Sequence, residues 1–85
     1  MSYSLFISRS AQKEFFDIDK KQAIKIKVEI LKLSENPRPA ISIKLKNREG
    51  WRIKVGNYRV LYEILDDSQV INILHVGHRK DVYKH

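Results

Sequence analysis

Eighty-five residues without a cysteine make one domain with a single small core, and they exclude a disulfide framework and a zinc knuckle. A net charge of +7 points to a polyanionic partner: a nucleic acid, an acidic protein or an anionic membrane surface. No apolar run approaches the roughly 18 residues of a membrane span, and no basic region precedes the short apolar piece near the N-terminus, so neither a span of the membrane nor a signal peptide is expected, and the lack of cysteine fits a cytoplasmic protein.

Residues 3–7 are short and apolar-rich and predict an edge or near-edge strand. Ser8 or Ser10 can cap a following helix, in which Ala11, Phe15 and Ile18 fall at i, i+4 and i+7. Residues 17–20 read as a break. Between residues 20 and 34, Ile24, Ile26, Val28 and Ile30 alternate with Lys25, Lys27 and Glu29, a strand-like pattern. The alternation fails at Ile30-Leu31, and no Gly or Pro interrupts residues 10–36, so a second helix accounts better for the length. Asn36-Pro37 and Pro39 end it.

Ile41, Ile43 and Leu45 alternate with Ser42, Lys44 and Lys46, predicting a strand before a polar turn at residues 47–50. Residues 51–62 (WRIKV-GN-YRVLY) then form the clearest signal in the chain, a hairpin about Gly56-Asn57. A two-residue loop pairs Val55 with Tyr58, Lys54 with Arg59, Ile53 with Val60 and Arg52 with Leu61. Alternation places Arg52, Lys54 and Arg59 on one face, and Trp51, Ile53, Val55, Tyr58, Val60 and Tyr62 on the other. Like charges opposite each other destabilise a sheet. Folding does not call for Lys54 across from Arg59; a polyanion does. The second strand continues to a corner at residues 66–68. Residues 70–76 are apolar on both faces, as in a central strand, and Gly77 is expected to end it. The expected class is α+β: two N-terminal helices on one face of a small, twisted, mainly antiparallel sheet whose other face is exposed and basic.

Familiar catalytic patterns are absent: there is no phosphate-binding glycine loop, no cysteine nucleophile and no spaced Ser-His-Asp set. Neither a metal nor a cofactor is expected. His75 fits a packing or surface role, whereas His78, just beyond the expected strand end, is placed to move a proton. Arg52, Lys54 and Arg59 converge, and Arg79 follows at the same end of the sheet. Such a group can neutralise a phosphate and the charge that develops on it. Cationic neighbours favour the uncharged form of a lysine, which makes Lys54 a candidate proton acceptor. Tyr83 can stack on a base or cover the core edge.

Several pieces of the chain resemble the RelE/ParE toxin superfamily, and its RelE-like branch in particular. They are residues 3–15 (YSLFISRSAQKEF), Asn36-Pro37-Arg38, Lys44-Leu45-Lys46, the hairpin 51–62, Val76-Gly77-His78-Arg79 and Asp81-Val82-Tyr83. The resemblance implies the microbial ribonuclease fold just described and a toxin of a type II toxin–antitoxin pair. It implies a metal-independent endoribonuclease that enters the ribosomal A site, cleaves mRNA there by 2′-hydroxyl attack and so inhibits translation. By position, Lys54 matches a lysine that activates the 2′-hydroxyl, and Arg59 an arginine that stabilises phosphate charge. Arg79 matches an arginine at the leaving oxygen, and Tyr83 a tyrosine that orients a nucleotide. Arg52 departs from the pattern, which has a second lysine. A guanidinium stays protonated and is a poor base, so that role falls to Lys54 or His78. Arg52, Lys44, Lys46, His78 and Lys80 are the further RNA-binding candidates. The implied partners are a cognate antitoxin, the ribosome and its mRNA, and operator DNA bound only together with the antitoxin. The alternative is a ParE-like, non-catalytic toxin that inhibits DNA gyrase.

Overall fold

The structure, a computed structural model, describes residues 2–46 and 48–78. In chain order it runs β1 (Ser4–Ile7), α1 (Arg9–Phe16), α2 (Lys20–Leu33), β2 (Ile43–Lys44), β3 (Trp51–Val55), β4 (Tyr58–Leu65) and β5 (Val70–His78). The five strands form one sheet in the order β1-β5-β4-β3-β2. Strand β1 lies parallel to β5 at one edge, and every other pairing is antiparallel. The α+β class, the edge position of β1 and the two-helix reading of residues 9–33 therefore hold. No described helix is long and apolar enough to cross a membrane.

Ser8 caps α1: its Oγ accepts from the Ala11 N–H at 3.0 Å. The same hydroxyl donates to the Leu74 carbonyl at 3.0 Å, tying the helix start to β5. Asp19 caps α2, accepting from the Lys21 N–H at 3.2 Å. Ile26, Ile30 and Leu33 recur at i, i+4 and i+7 and are buried with Ala11 against Ile53, Val55, Val60, Tyr62, Ile71, Ile73 and Val76. Each fully buried aliphatic side chain contributes about 1.5–3 kcal/mol. The apolar arc of α2 is wider than the core needs, so Ile24, Val28 and Leu31 stay exposed.

The hairpin register is the expected one, Val55↔Tyr58 through Arg52↔Leu61, continuing to Trp51↔Tyr62. Gly56 takes φ +61° at the loop, a conformation that costs glycine little. Gly50, at φ +126°, precedes β3 where an added Cβ would lie 3.1 Å from the Tyr62 carbonyl oxygen.

Two strand expectations change. Strand β2 is only two residues long, because the Pro39 carbonyl accepts both the Ser42 N–H at 2.8 Å and the Ser42 hydroxyl at 2.7 Å, bending the chain before Ile43. Gly77 does not end β5, which continues to His78, with Gly77 opposite Arg59. Between Leu61↔His75 and Tyr62↔Ile73 the register slips by one residue, leaving Leu74 extra. The slip lets odd-numbered Ile71 and Ile73 and even-numbered Val76 all face the core. Part of the two-sided apolar pattern of residues 70–76 is thus a change of face.

Candidate nucleic-acid interface

Register builds the face turned away from the helices. One cross-strand row reads Lys54–Arg59–Gly77, and the next reads Ile43–Arg52–Leu61–His75. The three cations expected to converge do so. Lys54 is exposed and Arg52 half-buried. Arg59 is only 8% exposed, and its Nη1 donates to the Tyr58 carbonyl at 3.2 Å. Leu61, on the same face, is 4% exposed. The basic face is therefore not uniformly open, as the sequence suggested: it sinks around Arg59 and Leu61. Burying an arginine beside a lysine of the same sign is costly for folding alone.

Arg52, Lys54 and Arg59 line a cleft of about 70 Å³ together with Ile41 and Ile43. The small notch brings three cationic side chains to one place, an arrangement suited to the oxygens of a phosphate. Lysine and arginine donors around such a notch favour an anion and the charge that builds on it during transfer.

The other candidates are placed differently. Lys44 pairs with Trp51, which packs against the core, so Lys44 belongs to the helix side of β2. Ile43 takes the place beside Arg52 instead. Lys46 is exposed beyond β2 and does not line the cleft. His78 pairs with Tyr58, their rings meeting edge to face with centroids 5.8 Å apart. It lines a cavity on the helix side with Glu14, Asp17, Ile18, Tyr58 and Val76. The sheet thus separates His78 from Lys54, which removes it as a base at that cleft. Arg79, Lys80 and Tyr83 lie outside the described residues.

His75, read from the sequence as packing or surface, belongs by register to the cationic face, one diagonal step from Arg59. Its Nδ1 lies 3.2 Å from Glu14 Oε1, which also accepts the Val76 N–H at 3.2 Å. Glu14 therefore covers the β5 edge beyond the end of β1. Neither Ile43 nor His75 stands out in the sequence as a site residue. The pairings with Arg52 and Leu61 place them, and the pairing across residues 47–50 and the slip at Leu74 carry no local sequence mark. Among the described residues, no group of three or more His, Asp or Glu is arranged to hold a metal ion.

A second charged cluster lies where β3 begins. Arg38 Nη2 and Nη1 donate to Asp66 Oδ2 and Oδ1 at 2.8 and 3.3 Å, and the guanidinium sits 5.4 Å from the Trp51 ring centroid. The Tyr3 hydroxyl donates to Asp66 Oδ1 at 2.8 Å. The Arg38 bonds, then that of Tyr3, hold the Asp66 carboxyl below its ordinary range. Beneath them the Tyr62 hydroxyl donates to the Pro37 carbonyl at 2.7 Å, and burial pushes it up to about 12.

Comparison with known proteins agrees with this architecture. Residues 5–83 match the family model described as ParE toxin of type II toxin-antitoxin system, parDE. A Methanocaldococcus jannaschii protein bearing the name RelE1 is 28% identical over 88 residues, covering 99% of this chain and 98% of its own length. The archaeal RelE–RelB complex from Pyrococcus horikoshii OT3 contains a similar chain at TM-score 0.82 and 26% identity, over 93% of this chain and 97% of that one. A mutant E. coli toxin RelE in the free state matches at TM-score 0.81 and 27% identity, over 99% and 93%. This chain belongs to the RelE/ParE superfamily, and it is a toxin of a type II toxin–antitoxin system.

Proposed function

We propose that this toxin is a metal-independent endoribonuclease that cleaves mRNA in the ribosomal A site and so inhibits translation in the cytoplasm. The observation that carries the reading is the convergence of Arg52, Lys54 and Arg59 around one small cleft. The ribose 2′-oxygen attacks the adjacent phosphorus and forms the new P–O bond. The 5′-oxygen leaves and is protonated, giving a 2′,3′-cyclic phosphate and a 5′-hydroxyl. Lys54 accepts the 2′-hydroxyl proton, the one role Arg52 cannot fill. Arg59 and Arg52 bind the phosphate oxygens as charge builds on them. Arg79 stabilises or protonates the leaving oxygen, and Tyr83 stacks on a nucleotide. Lys80 and Lys46 add backbone contacts outside the cleft.

The RelE–RelB complex from P. horikoshii supports a cognate antitoxin as partner here. An acidic or amphipathic antitoxin segment would cover the cationic face, and toxin and antitoxin together would bind operator DNA.

The test is 3′-end mapping of mRNA on programmed ribosomes. The wild type should leave cyclic-phosphate ends within the A-site codon. Arg59→Ala should lower the cleavage rate by about 10²–10³-fold, the usual loss when a donor to a developing oxyanion is removed. Intact mRNA with the wild type defeats the reading. The description of the matched family model as a ParE toxin favours a second reading, inhibition of DNA gyrase without catalysis. Supercoiling inhibition that survives loss of Arg59, with mRNA left whole, would select it.

A further inference from the structure

We infer that Ile41 and Ile43 form an apolar rim on which the nucleobase beside the bound phosphate lies, making them substrate-binding residues. The inference rests on the nuclease reading above. Single exposed aliphatic residues are ordinary on protein surfaces and need no explanation. These two differ in position. They are 50% and 52% exposed, and they share one small cleft with three cations. Ile43 is held there by its register opposite Arg52, on the face away from the core, so its side chain serves no packing role within the helix–sheet interior.

The composition of the lining decides what such a rim can hold. Arg52, Lys54 and Arg59 draw the phosphate to their part of the cleft, and the base joined to it comes to rest on what else borders the notch. Here the border offered by the described residues is cationic on one side and aliphatic on the other. A nucleotide has the matching character: an anion joined to a flat ring with an apolar face. An aliphatic wall has no donor or acceptor, so it holds a base by its face and cannot read its edge. Binding at this subsite is expected to tolerate all four bases and to favour purines, which present the larger face.

The test uses the intact toxin on ribosomes programmed with mRNAs that differ by one base in the A-site codon. Ile41→Thr and Ile43→Thr keep a β-branched side chain, and with it the backbone preference, while replacing an apolar branch by a hydroxyl. Each should raise KM about 3- to 10-fold, most for purines, and leave kcat within about twofold. Ile43→Leu should restore wild-type KM. A wild type that cleaves beside threonine variants of unchanged KM overturns the inference and leaves the nuclease reading standing. Loss confined to kcat overturns it as well, as does weakened antitoxin binding with unaltered cleavage. A wild type that does not cleave ends both.

Discussion

Arg38 and Lys54 sit near opposite ends of β3 and meet different neighbours. Arg38 is bound through two nitrogens to Asp66 and lies over Trp51, and Tyr3 completes the carboxylate. Charge there is answered within a few ångströms and ties the 37–39 segment to the sheet. Lys54 is instead paired across the ladder with Arg59, a residue of the same sign and deeply buried. The first arrangement serves the fold. The second sets like charges across one ladder position, a cost to the fold that a bound polyanion would relieve if the proposed function holds.

Breaking the anchored end should have the largest effect on stability. Tyr62 is fully buried, and Tyr62→Phe leaves the Pro37 carbonyl without its 2.7 Å partner. A loss of about 1–2 kcal/mol is expected, lowering Tm by roughly 5–15 °C in a domain of this size. Thermal melts monitored by circular dichroism check it. The phenol also sets an alkaline limit. Burial raises its folded-state value from 10.0 to about 12, so the unfolded chain releases this proton first. Its contribution is complete below about pH 10 and is lost as pH climbs through 12. Tyr62→Phe should flatten that part of the pH–Tm curve.

Turning the hairpin end into a copy of the anchored end sharpens the contrast. Lys54→Glu places a carboxylate across from Arg59. Opposite charges in such a pair contribute about 0.2–1 kcal/mol, so Tm should rise by a few degrees. Cleavage of A-site mRNA should disappear in the same protein. A variant that is both more stable and inactive would show that the repulsion is kept for function. A fall in Tm would show that Lys54 also packs in ways the pairing does not convey.

How far these features were legible depends on whether their cause was local. The Gly56-Asn57 loop fixes its own register, so the Lys54–Arg59 opposition followed from twelve residues of sequence. Residues 20–33 carried a strand-like alternation, yet Ile26, Ile30 and Leu33 show that helical spacing governs burial. The side of His78 was not legible. It depends on the slip at Leu74, which carries no glycine or proline to mark it, and on pairing with a strand that begins twenty residues earlier. The side of Lys44 was not legible for a related reason: its face is set by pairing with Trp51, which no local sequence signal fixes. The network of Tyr3, Arg38 and Asp66 joins residues up to 63 positions apart, and only the folded sheet brings them together.

The smallest effect separates charge from packing at the anchored end. The Arg38 and Asp66 side chains are both substantially exposed, so screening limits what their pair contributes to stability. Asp66→Asn should lower Tm at neutral pH by less than Tyr62→Phe does. The sign with pH is fixed by the bonds from Arg38 and Tyr3, which hold the folded carboxyl below its ordinary value of 3.8. The pair's contribution is therefore present above that value and is lost as pH falls through the folded one. At strongly acid pH the wild-type carboxyl is protonated, and wild type and Asp66→Asn should melt together. A gap that stays as wide in acid would place the role of Asp66 in packing beneath Arg38 and Tyr3, and the anchored end would then owe its order to Tyr62 and Trp51 instead of to answered charge.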